Sequence, residues 1–276
     1  MKLTRGMTAL VTGASSGIGA AIARRLAGEG VDVLLVARSE AKLQELAAAI
    51  TSDYGVRATA LPLDLSKPGC GAALRSWTEA HGVVVDVLVN NAGFGAYGAF
   101  ETIAADRDQA MLAVNTAAVV DLTHAFLPGM LQRRRGAVLN IASAVAFQPG
   151  PYMAVYAASK SFVLSFSEAL WAECRRHGVH VAALCPGAVE TQFIDALGSE
   201  TVRQTPVFST TLRPEHVADQ AIRALQGKGP TRIVGSKYWF LAQSSRFAPR
   251  SVVARITTHL MEPRGSTRPQ RARADY

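Results

Sequence analysis

Short uninterrupted apolar runs alternate along this chain with longer segments whose apolar positions recur every three or four residues. The runs predict strands at about 7–12, 32–37, 57–62, 86–90, 137–142, 179–185 and 231–234. The intervening periodicity predicts helices near 20–27, 40–52, 67–81, 107–133, 154–177 and 214–227. Strands that are apolar throughout, with no in–out alternation, need cover on both faces, and strands alternating with helices imply parallel crossovers. The expectation is one α/β domain: a doubly wound, mostly parallel, seven-stranded sheet. Beyond it, Val252, Val253, Ile256 and Leu260 share one helical face over 250–261, with Arg250 and Arg255 elsewhere. The chain therefore divides into a main domain, 1–249, and a C-terminal segment, 250–276, holding an amphipathic helix and a basic end. Packing of that helix on the domain or on a second subunit is the preferred reading. A cover over a substrate site comes second, then contact with a membrane surface. Residues 263–276 read as disordered.

Composition narrows the classes of function. The 276 residues show no Pro/Ser linker, repeat or low-complexity insert before the tail. The net charge is +8, and half of it comes from residues 250–276, where six arginines face only Glu262 and Asp275. That stretch has few aromatics, and no helix-turn-helix or zinc pattern accompanies it, so a nucleic-acid partner is not expected. Three cysteines, Cys70, Cys174 and Cys185, lack CxxC spacing and read as reduced thiols in a cytoplasmic protein. Six histidines form no HExxH, and no metal site is expected. The longest uncharged stretch, 136–159, holds Asn140, Gln148, Pro149 and Pro151 and is not read as a membrane span. The N-terminal apolar run is a strand and a turn, not a secretory signal.

Chemistry enters at the first strand. Met7 to Val11 run into Thr12-Gly13-Ala14-Ser15-Ser16-Gly17-Ile18-Gly19, and a helix follows. Glycines at such a strand-to-helix turn let backbone N–H groups approach a pyrophosphate at the positive end of the helix. The spacing is GxxxGxG. Arg38 follows the second strand, where an acidic residue would bond a ribose 2′-hydroxyl. An arginine there can pair with a 2′-phosphate through its planar fork, which favours NADP; the alternative is a solvent-facing arginine. Further on, Tyr156 and Lys160 lie one helical turn apart, and Ser143 ends a strand thirteen residues earlier. A phenol with a free pKa of about 10 is a poor acid near neutral pH, and a nearby ammonium is expected to draw that value down. Such a tyrosine can give a proton to a carbonyl oxygen or take one from an alcohol. Tyr152, eight residues before Lys160, is the weaker candidate.

These motifs stand together in a familiar order. The loop Thr12 to Gly19, Asp64, Asn90-Asn91-Ala92-Gly93, Asn115, Ser143, Tyr156, Lys160 and Pro186-Gly187 resemble the short-chain dehydrogenase/reductase family over residues 5–235. Gly93-Phe94-Gly95 is similar to bacterial members related to steroid and long-chain 3-oxoacyl reductases. The resemblance implies a Rossmann-type fold and hydride transfer between NADP and a carbonyl or alcohol substrate. It implies a dinucleotide held by Gly13, Ser15, Ser16, Gly17, Ile18, Gly19, Asp64, Leu65, Asn91, Ala92 and Gly93. Pro186, Gly187, Val189 and Thr191 would enclose the nicotinamide, and Tyr156 and Lys160 would meet its ribose. Asn115 would anchor a water in a proton relay from Lys160. From the residues alone, Asp64 can also be a helix N-cap and Asn115 a surface position. Phe94, Val145, Phe147, Met153 and Phe193 fall on segments expected to border the site, and no Arg or Lys does, which favours an apolar ketone or alcohol. The second functional class is a non-catalytic NADP-binding sensor. Association into a homodimer or homotetramer is expected through the helices at 107–133 and 154–177, the second carrying Phe162, Val163, Phe166, Leu170 and Trp171.

Overall fold

The computed structural model describes residues 1–198, 202–203 and 205–262. Seven strands form one sheet: β1 (Thr8–Thr12), β2 (Asp32–Ala37), β3 (Ala58–Pro62), β4 (Val87–Asn90), β5 (Gly136–Ile141), β6 (Val179–Pro186) and β7 (Thr231–Val234). Their order is β3-β2-β1-β4-β5-β6-β7, and every pairing is parallel. The order reverses between β1 and β4, the position where ligands settle against open α/β sheets. Each strand begins within one residue of its expected start.

Alternate strand residues feed two separate cores. Val11, Val33, Leu35, Val89 and Leu139 pack with α1 (Gly17–Ala27), α2 (Glu40–Tyr54) and, after the one-turn α7 (Gln192–Asp195), α8 (Pro214–Gln226). Leu10, Leu34, Val36, Leu88 and Val138 face α3 (Cys70–Ala80), α5 (Ala118–Arg133) and part of α6 (Ala154–Cys174). Burial on both sides is why the strands lack polar alternation. At the centre Asn90 donates to the Asn140 side chain at 2.8 Å, and Asn140 donates to Ser167 Oγ at 2.9 Å. This ladder ties β4 and β5 to α6, the elements that carry Ser143, Tyr156 and Lys160.

Three departures from expectation bear on the site. The first helix starts at Gly17, at the glycine turn itself, not at residue 20. The helix expected over 107–133 is α4 (Ala105–Leu112) followed by a π-helical turn (Ala113–Ala117) and then α5. Asn115 lies in that turn, whose extra residue redirects its side chain; such turns are rare and concentrate at functional positions. A helix that the periodicity missed, α9 (Ser236–Ser244), follows β7. Together α4, the π turn and α5 are long and apolar enough to cross a membrane, but they pack in this domain against α3, α6 and β5. The helix expected at the C-terminus is present as α10 (Arg250–Met261). The tail expected to be disordered, 263–276, lies outside the described residues.

Candidate active site

A cavity of about 890 Å³ runs along the carboxyl ends of the strands, from the glycine turn to α10. At one end β1 delivers the chain into the glycine turn. Gly13 has φ +65°, and a Cβ there would meet Ala92 Cα and Asn91 Nδ2 at 2.8 Å. A Cβ on Gly19 would sit 2.3 Å from the Gly13 carbonyl oxygen. Any larger residue would force the turn away from β4. Asn91 locks the arrangement by donating from Nδ2 to the Thr12 carbonyl at 2.8 Å, while Thr12 Oγ1 accepts from the Asn91 and Ala92 amides.

Every position expected to hold a dinucleotide lines this cavity: the turn from Gly13 and Ser15 to Gly19, Arg38, Asp64, Leu65, Asn91 to Gly93, Tyr156, Lys160, Pro186, Gly187, Val189 and Thr191. Asp64 is not a helix N-cap, because α3 begins at Cys70 behind Gly69. Its carboxylate accepts from the Ser66 amide at 3.0 Å and the Ser66 hydroxyl at 2.8 Å. The Ser66 bonds hold that carboxyl below its usual range, helped by Lys67 and Arg38. Arg38 thus stands exposed at the strand end beside an acid, with Lys42 also on the cavity wall. The turn, the room and the charges fit a phosphate-bearing dinucleotide.

Ser143, Tyr156 and Lys160 converge midway along the cavity. Ser143 leaves β5 in extended backbone, and its Oγ accepts from the Val145 amide at 3.3 Å. Lys160 is buried and donates from Nζ to the Ile141 carbonyl at 2.8 Å, 5.8 Å from the centre of the Tyr156 ring. Burial pushes the Tyr156 phenol up to about 12, with the Ser143 hydroxyl acting in the opposite direction. Burial also lowers the Lys160 ammonium to about 8. The expectation that Lys160 draws the phenol down is therefore not met by these side chains alone, because desolvation outweighs a cation held to a carbonyl. Tyr152 is outside the cavity wall; its ring lies 6.1 Å from that of Tyr97, and its backbone takes φ +61°.

Asn115 is behind the cavity wall. Its Nδ2 donates to the Phe94 carbonyl at 3.0 Å and to Ser159 Oγ at 3.1 Å, and its Oδ1 accepts from the Phe94 amide at 3.1 Å. In this arrangement it pins the Gly93–Gly95 segment to α6.

The far end of the cavity is apolar. Phe94, Val145, Met153 and Phe193 line it as expected, with the Phe193 ring 5.4 Å from that of Tyr156. Phe147 does not; it packs with Val163 and Cys185 under α6. The sequence missed Val207, Phe208, Tyr238 and Leu241. A Cβ on Gly187 would fall 1.9 Å from the Tyr238 ring, so glycine there admits Tyr238 against the loop. The apolar cluster Tyr238 to Leu241 was visible in the chain, but the pairing of Tyr238 with Gly187 was not. Thr257, Leu260 and Met261 of α10 close the same end, and the Tyr97 hydroxyl donates to the Met261 carbonyl. The C-terminal helix thus packs on the domain through Val253, Thr257 and Met261 and at the same time lines the chamber. Among the described residues no group of three or more His, Cys, Asp or Glu is placed to hold a metal ion.

A family model described as short chain dehydrogenase matches residues 7–201. The chain belongs to the short-chain dehydrogenase family. A very-long-chain 3-oxoacyl-CoA reductase of Anas platyrhynchos is 38% identical over 192 residues, which cover 68% of this chain and 61% of that protein. The chain thus spans about six-tenths of the length of that relative. A short-chain dehydrogenase of Sphingobium yanoikuyae, solved with NADPH, superposes with a TM-score of 0.77 at 32% identity, covering 87% of this chain and 94% of that one. A 7beta-hydroxysteroid dehydrogenase gives a TM-score of 0.82 at 27% identity, covering 93% and 99%. In this short-chain dehydrogenase, the order reversal of the sheet, the glycine turn and the Ser143, Tyr156 and Lys160 cluster share one cavity.

Proposed function

We propose that the chain is an NADP(H)-dependent oxidoreductase acting between a carbonyl and an alcohol on a mainly apolar substrate. The observation that carries this is the position of Ser143, Tyr156 and Lys160 between a dinucleotide cradle and an apolar chamber. The similarity to the Sphingobium yanoikuyae protein solved with NADPH, to the very-long-chain 3-oxoacyl-CoA reductase and to the 7beta-hydroxysteroid dehydrogenase supports the reading. When bound, NADP(H) supplies or accepts the hydride at the substrate carbon. The chain supplies position and proton. Ser143 Oγ would donate to the substrate oxygen, and Tyr156 Oη would pass it a proton in reduction or take one in oxidation. Lys160, held by the Ile141 carbonyl, would bond the nicotinamide ribose when the cofactor is bound and would replenish the phenol's proton. Asn115 holds Phe94 and α6 in register, and in the proton relay it would anchor a water that leads toward Lys160. Phe94, Phe193 and the α10 face exclude bulk water. Following NADPH absorbance against a panel of apolar ketones tests the activity; no oxidation of NADPH with any of them, alongside tight NADPH binding, would favour a sensor.

NADPH is expected to bind at least tenfold more tightly than NADH, because Arg38 stands where NAD-selective sites place an acid. One charge-assisted pair of about 1.5–3 kcal/mol accounts for that ratio. Fluorescence titration of both cofactors measures it, and Arg38→Ala should bring the two affinities together.

Self-association through α5 and α6 is a further expectation. Phe162 is 43% exposed and stacks with Phe166, their ring centres 5.8 Å apart, while Leu170 and Trp171 are half-buried in the domain. A solvent-facing aromatic pair on a helix of this length suits a helix–helix subunit contact. Sedimentation velocity at micromolar concentration should show a dimer or tetramer, and Phe162→Glu should shift it toward monomer.

A further inference from the structure

We propose that α9, the turn that follows it and α10 form a docking surface for an anionic lipid membrane. Nine large hydrophobic side chains are exposed among the described residues, and five of them fall between 239 and 256. Trp239 is 54% exposed, Phe240 68%, Phe247 89% and Ile256 55%, with Val252 completing the set. The single apolar face expected for α10 is divided in the structure: Val253, Thr257 and Met261 are buried on the inner face, whereas Val252 and Ile256 share the outer face with Arg255 and His259. Apolar exposure concentrated this way marks an interaction site.

The charge pattern selects the occupant. Residues 236–261 contain Lys237, Arg246, Arg250 and Arg255 and no Asp or Glu. Lys237, Arg250 and Arg255 are exposed. A two-fold contact between copies would lay this patch on itself and bring like charges together. An anionic bilayer satisfies both features, because its headgroups meet the cations and its acyl boundary takes Trp, Phe and Ile. The inner faces of the same helices, through Tyr238, Leu241, Thr257 and Leu260, bound the apolar chamber. An apolar substrate dissolved in the bilayer would meet the protein at the helices that bound its cavity. The surface rests on exposed residues and stands independently of the reaction proposed above.

The full chain is mixed with vesicles of phosphatidylcholine, with and without about 30% phosphatidylglycerol, and bound protein is measured by vesicle sedimentation at about 0.05 and 0.5 M salt. Binding to the anionic vesicles should be at least tenfold tighter and should weaken at high salt. The variants Phe240→Ser with Phe247→Ser, and Arg250→Gln with Arg255→Gln, should each lose tenfold or more of that affinity. Both should keep the parental circular dichroism and NADPH affinity, since none of these four residues lines the cavity. Equal binding to neutral and anionic vesicles, or either folded variant binding as the parent does, overturns the proposal. So does a parent that ignores vesicles while Phe240→Ser with Phe247→Ser loses self-association, which would assign the surface to a second copy.

Discussion

Replacing Tyr156 with phenylalanine is expected to lower ketone turnover at least a hundredfold while leaving NADPH affinity within about twofold of the parent. The substitution keeps the ring that packs 5.4 Å from Phe193 and removes only the transferable proton. Positioned general acids contribute about 10²–10⁴-fold, so the loss should fall in that range. A variant retaining a tenth of the parental rate would move the acid role elsewhere. Tyr152 is badly placed for it, turned toward Tyr97 and away from the cavity wall. The pH dependence follows from the same burial. Because the phenol is pushed up to about 12, it stays protonated through neutral and mildly alkaline pH, and reduction should carry no Tyr156 limb there. Alcohol oxidation needs phenolate, whose fraction climbs about tenfold per pH unit below the pKa. Initial rates in both directions between about pH 6 and 9 should diverge accordingly. An oxidation rate that rises and then levels off within this window would mean that the phenol is tuned into the neutral range.

Lys160→Met should separate function from stability. Lys160 has two tasks in the proposed site, so turnover should fall at least a hundredfold and NADPH affinity should weaken measurably, both read from initial rates and fluorescence titration. Stability should move differently. Burial lowers the folded-state pKa of Lys160 to about 8 from its ordinary 10.5. The folded state therefore binds the proton less readily than the unfolded chain. Holding the ammonium costs about 3 kcal/mol, in full below pH 8, and the cost fades as pH rises toward 10.5. Methionine removes that cost, although it leaves the Ile141 carbonyl without its donor, a loss of about 1–3 kcal/mol. The melting temperature of the variant at pH 7 should be equal to the parent's or higher, and its advantage should shrink in alkaline buffer. A variant that melts well below the parent at pH 7 would make Lys160 a structural residue. Unchanged NADPH affinity would remove its second task.

The seven strands and their parallel arrangement were legible because burial on both faces leaves an uninterrupted apolar run, a signal carried by neighbouring residues. The glycine turn, Arg38, Ser143, Tyr156 and Lys160 were legible for a related reason: each chemical unit lies within one turn or one strand end. What the chain alone could not show depends on residues far apart in sequence. Asn115 looked like an interior helix residue, and only contact with Phe94 and Ser159 revealed why the helix widens into a π turn there. The residues alone left an N-cap open as the alternative for Asp64, and only the path of the chain to Cys70 excluded it and showed the carboxylate held by Ser66. Tyr238 reaches the cavity because Gly187, fifty-one positions earlier, has no side chain in its way. Phe94 and Phe147 were indistinguishable as apolar residues near Ser143; folding put one on the cavity wall and the other beneath α6. The proton affinities of Tyr156 and Lys160 were likewise set by tertiary structure. Spacing placed the cation near the phenol, but desolvation, a property of everything packed around them, decided the direction in which each shifted.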